Sequence, residues 1–184
     1  IKVTGVRLMI LSAEKREILK RDADLMLKEV EEFMSKLQFE ESIQKLQVVM
    51  NDFEILGEYA LLLKCHLYSA VCHYNLGNLK ISFELTNTYE GLCEQYKVPI
   101  DKGEYYALLG LQYQYKGDLS KAITYYNDAA DCAIQKLSYR RYISSKKHVA
   151  LVASRLKEFE LGIEAVNDAK IYLHLVDEED VNQI

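Results

Sequence analysis

The chain has 184 residues, 49% of them apolar, and a formal net charge of −5. That length fits one domain able to bury a core, and the apolar share excludes a disordered chain. The acidic balance argues against a nucleic-acid partner through this segment, which would need concentrated Lys and Arg. No apolar run approaches the ~20 residues of a membrane helix, so no membrane contact is expected.

One Pro and eight Gly are too little punctuation for an all-β fold and suit long helices. Residues 1–12 stay open between a linker, a short strand and an extension of the first helix. The apolar run near the start, residues 7–13, is too short for a signal-peptide core. The first residue is Ile rather than Met, so a processed piece with a functional segment upstream stays open. From residue 13 the pattern predicts eight helices, at about 13–36, 39–52, 55–76, 79–97, 103–116, 119–136, 139–156 and 159–176. Pro99 and Gly103 mark a break between the fourth and fifth. The acidic run Val176 to Asp180 reads as a frayed end.

The helices repeat. Small residues fall at Ser42, Ser82, Ala122 and Gly162. Apolar residues fall at Phe39, Leu79, Leu119 and Phe159, and again at Ile43, Phe83, Ile123 and Ile163. Each set recurs every 40 residues over four copies, about 13–52, 55–97, 103–136 and 139–176. Each copy reads as two amphipathic helices meeting at a tight turn. The small residue one turn into the second helix lets the first approach closely. Gly77 and Gly117 suit the left-handed residue that ends a helix. One hairpin cannot bury its apolar face alone, so neighbours are expected to stack.

Tyr106, Leu109, Gly110, Tyr113, Gly117, Ala122, Tyr126 and Ala129 resemble the tetratricopeptide (TPR) signature at every offset. The other copies are degenerate. The second keeps Ala70, Gly77 and Ser82 but has His66 and His73 at aromatic positions, and the fourth keeps Ala150, Gly162 and Ala169. The resemblance implies an all-α fold, a right-handed α-solenoid of about four TPR-like hairpins over residues 13–184. The long period and the degeneracy also resemble the sensor domains of Gram-positive peptide-pheromone receptors (the Rap/NprR/PlcR/arbitrium-receptor group). That narrower resemblance implies a cytoplasmic, quorum-sensing role in transcription regulation. The ligand would be a short linear peptide held along an inner wall of first helices. The DNA-binding domain usual in such regulators is not visible in this segment.

The repeat frame gives the expected wall. The second copy offers Lys64, Leu67, Tyr68, Val71, Tyr74 and Asn75. The third offers Glu104, Ala107, Leu108, Leu111, Gln114 and Tyr115, and the fourth Ser144, Lys147, His148, Leu151, Ser154 and Arg155. Eight of these are the candidate peptide- or partner-binding residues. Asn75 and Gln114 have amides able to grip a peptide N–H and C=O together. Tyr68, Tyr74 and Tyr115 supply flat area with one polar tip. Lys64, Lys147 and Arg155 supply cations, the last two suited to a peptide carboxylate. The bland alternative is that these side chains are solvated or merely pack. The basic stretch from Tyr139 to His148 stays open between a receiver of acid groups and a solvated helix start.

No catalytic residue, metal ligand or cofactor is expected. Cys65-His66 and Cys72-His73 lie seven residues apart, about 10.5 Å of helical rise, too far for one zinc. The four cysteines read as reduced thiols within helices. Glu29, Glu31, Glu32, Glu40 and Glu41 read as a solvated face. No nucleophile elbow, phosphate loop or HExxH pattern occurs. The alternative function is a TPR scaffold that assembles a protein partner or a homodimer without a small ligand. The last helix, with Val166, Ile171, Leu173 and Leu175, lacks an evident polar cap.

Overall fold

In the computed structural model, which describes residues 12–176, the chain is all-α. Eight helices follow one another: α1 (Ala13–Ser35), α2 (Phe39–Leu56), α3 (Tyr59–Asn75), α4 (Leu79–Tyr96), α5 (Lys102–Lys116), α6 (Leu119–Gln135), α7 (Tyr139–Leu156) and α8 (Phe159–Tyr172). A short 3₁₀ turn, Leu173–Leu175, ends the series, and no strand occurs among the described residues. The expectations for residues 1–11 and for most of the acidic end fall outside the described residues. Ser12 is described, and its hydroxyl caps α1 by accepting from the Lys15 amide at 3.4 Å.

The turns share one design. Backbone φ is positive at Leu37, Gly57, Gly77, Lys97, Gly117, Leu137 and Lys157, each twenty residues after the last. At each, the left-handed residue donates to the carbonyl three positions back and the next residue donates to the carbonyl five back. In the first turn these bonds are Leu37 to Met34 and Gln38 to Phe33. This double bond satisfies the carbonyls a helix end leaves orphaned. Gly77 and Gly117 take the helix-ending role expected of them. Gly57 takes it too, which carries α2 to Leu56 and starts α3 at Tyr59, each about four residues later than expected. Leu37, Lys97, Leu137 and Lys157 do the same with a Cβ, at a cost of about 1–2 kcal/mol each.

The helices form two compact units, one ending at Pro99 and one beginning at Ile100. In the first, α1 packs on α2, α2 on α3 and α3 on α4. Its core is mostly aliphatic around one phenylalanine: Leu27 and Val30 from α1, Leu46, Val49 and Phe53 from α2, Leu62 and Cys65 from α3. Burial pushes the Cys65 thiol up to about 12 and the Cys72 thiol up to about 11, so both stay protonated packing groups. The His66 ring nitrogen Nε2 lies 2.9 Å from the Leu85 carbonyl of α4.

In the second unit α5 packs on α6, α6 on α7 and α7 on α8. Its centre is Tyr126, whose ring lies so close to Gly110 that an added Cβ would sit 2.6 Å from two ring carbons. The same ring stacks on His148 of α7, centroids 4.8 Å apart, and its hydroxyl donates to the Gln114 amide oxygen at 2.8 Å. One side chain thus ties three helices together. Around it Ala122, Ala130 and Ala133 of α6 are buried with Val149 and Val152 of α7.

Candidate functional site

Within each unit, polar side chains link the first helix of one pair to the first helix of the next. In the first unit the Glu31 carboxylate of α1 accepts from Lys64 Nζ at 2.7 Å and from the Tyr68 hydroxyl at 2.9 Å, both on α3. The Lys64 ammonium also lies 5.3 Å from the centre of the Tyr68 ring. Glu31 therefore belongs to an inter-helix cluster, not to a solvated face. Exposed pairs of this kind contribute about 0–1 kcal/mol, so the cluster orients side chains more than it holds the fold.

In the second unit Arg141 of α7 reaches Glu104 of α5 at 2.5 Å. Lys136, just past α6, pairs with Asp101 at 3.0 Å. Between these pairs lies a cavity of about 120 Å³, walled by Gly103, Glu104 and Ala107 on one side and by Arg141, Ser144 and Ser145 on the other. Its lining includes Ala129, Cys132 and Ala133 of α6. An apolar cavity of roughly 150 Å³ is enough for benzene. This one suits a single aliphatic side chain.

The other sequence candidates fare unevenly. Tyr68 is buried rather than exposed, and so are Leu67 beside it and Leu108, the position forty residues on in the second unit. Those positions face inward between helices because α3 and α5 are buried over more than one stripe. Asn75 is exposed, but its amide donates to the Val71 carbonyl of its own helix at 2.9 Å. Gln114 spends its oxygen on Tyr126. Tyr74 is half-buried, while Tyr115, Lys147 and Arg155 are exposed. Within the first unit Lys64 and Tyr68 come together on Glu31. Within the second unit Arg141, Glu104 and Ser144 come together at the cavity, with Gln114 and Tyr115 further along α5 and Lys147 and Arg155 further along α7.

Sequence reasoning missed Asp101, Lys136 and Cys132 because they lie outside the first-helix frame. Arg141 sat within the basic stretch, where its pairing with Glu104 was not legible. Elsewhere in that stretch Lys146 is spent on Asp168 at 3.0 Å. Among the described residues no group of three His, Cys, Asp or Glu is placed to hold a metal ion. Also among them, no helix is long and apolar enough to cross a membrane. Burial depresses the His66 and His73 rings below the ordinary histidine value. His148 is depressed by burial first and by the Lys147 charge second. Compared with known proteins, the chain matches no family model and no curated sequence.

Proposed function

We propose that the chain is a TPR-like repeat module, a right-handed solenoid of four hairpins with a 40-residue period, that binds a short extended peptide. Its role would be the sensor of a cytoplasmic, peptide-responsive transcription regulator, with no reaction of its own. The observation that carries the binding reading is the cavity between α5 and α7. It opens among first-helix residues, is lined mostly by small side chains, and is flanked by two ion pairs. A peptide side chain entering it would desolvate about one aliphatic group, worth ~2 kcal/mol. Its backbone would meet the Glu104–Arg141 pair and the Ser144 hydroxyl. The amide-clamp idea is weakened by the internal bonds of Asn75 and Gln114. The anchor therefore moves to the cavity.

The test is a calorimetric titration of peptides selected from a random pool, against the parent chain and against Ala107→Leu and Ser144→Leu. Each leucine fills the cavity from one wall. At least a tenfold loss of affinity for a selected peptide is expected. Unchanged affinity in both variants would move the binding surface elsewhere.

A further inference from the structure

We propose that the outer face of α8 is a self-association surface, on which α8 of a second copy of this chain packs antiparallel across a two-fold axis. The face is built for a helix. In α2 and α6 the residues at the equivalent places are covered by the following helix: Leu46 is 1% exposed and Tyr126 1%, while Phe53 is 0% and Ala133 4%. Forty residues beyond the second member of each pair, Val166 is 41% exposed and Leu173 42%. Phe159 and Ile163 are each 62% exposed on the same stripe, and Leu151 of α7 is exposed beside it. Two shallow cavities, of about 420 and 380 Å³, run along this face and share Ala150, Val166 and Lys170. The choice of equivalent positions rests on the repeat reading. The exposure of the stripe does not.

Charge selects the occupant. The exposed stripe of α8 carries Glu160 at its start and Lys170 near its end. Residues 159, 163, 166 and 170 share one side of a helix, with 160 at its edge. Turning a second α8 antiparallel about a point midway between Ile163 and Asn167 places each Glu160 opposite the partner's Lys170. The same rotation sets Ile163 beside the partner's Val166 and Phe159 beside the partner's Ile171, both exposed on this helix. A two-fold contact must be complementary to itself, and a stripe with opposite charges at its two ends satisfies that requirement.

The experiment is sedimentation velocity on the full chain and three variants, with circular dichroism confirming the fold of each. At roughly 100 μM, above the micromolar constants at the weak end of standard interfaces, the parent is expected to be dimeric. Ile163→Glu should weaken dimerisation at least tenfold. Glu160→Lys and Lys170→Glu should each weaken it alone, and an equimolar mixture of those two variants should recover a heterodimer. Three outcomes would overturn the proposal: a monomeric parent at that concentration, a dimer indifferent to Ile163→Glu, or a mixture no tighter than its components. A helix of some other protein on this face corresponds to the first.

Discussion

The two units build the same element succession from different materials. The first fills the space between helices with branched aliphatics and Phe53, and its second helix α2 meets its neighbours through Leu46 and Val49. The second seats Tyr126 on Gly110 and packs alanines together with Val149 and Val152 around it. The difference teaches that a repeat signature describes one packing solution, not the architecture. Only the hairpin of α5 and α6, where Tyr126 sits on Gly110, carries a legible signature. The first unit has the same left-handed turns without it.

The largest effect should come from emptying the aliphatic core. Phe53→Ala removes a fully buried ring and should cost about 3–5 kcal/mol in chemical denaturation, well beyond the few tenths that the better helix propensity of Ala returns. A midpoint change below ~1 kcal/mol would mean that the core can collapse around the loss. The mirror experiment overfills the second unit. Gly110→Ala improves helix propensity by up to about 1 kcal/mol, yet its Cβ meets the Tyr126 ring at 2.6 Å. Overpacking should win, for a net loss of about 1–3 kcal/mol and reduced near-ultraviolet tyrosine dichroism. A stabilised variant would show that Tyr126 can swing aside. The smallest change acts on the turns both units share. Leu37→Gly and Leu137→Gly relieve left-handed strain at exposed positions and should each stabilise by about 1 kcal/mol, roughly 2–4 °C in Tm. A loss at either site would mean that the leucine packs.

Acid should separate the units less sharply, because both bury histidine. His66 and His73 in the first unit and His148 in the second have folded values below the ordinary 6.5. Their neutral rings therefore stabilise the fold above about pH 6.5. That contribution is lost as pH falls from there through the depressed folded values, because the unfolded chain takes up the protons first. Thermal midpoints should fall between pH 7 and pH 5.5, and His148→Gln should flatten part of that slope. A midpoint that is level over this range would place those rings in contact with water.

Much of the fold was legible from spacing. The starts of α2, α4, α6 and α8 at Phe39, Leu79, Leu119 and Phe159 follow the apolar period. The left-handed turn at Gly57 was not anticipated, so one boundary slipped. The four non-glycine turns carry no compositional mark, because a Leu or Lys in that conformation reads like any other. The site was less legible. Side-chain amides were chosen for what they can bond, but Asn75 and Gln114 find those bonds within the chain. Glu31 was read with the carboxylates of its own helix because its partners lie 33 and 37 residues away.

By itself the sequence determined helix count, helix type and the place of the small residues, since these follow from backbone propensity and local periodicity. Only the tertiary structure decided which polar side chains face one another and where a cavity remains. Those depend on distances between helices far apart in the chain, which periodicity along one helix does not encode.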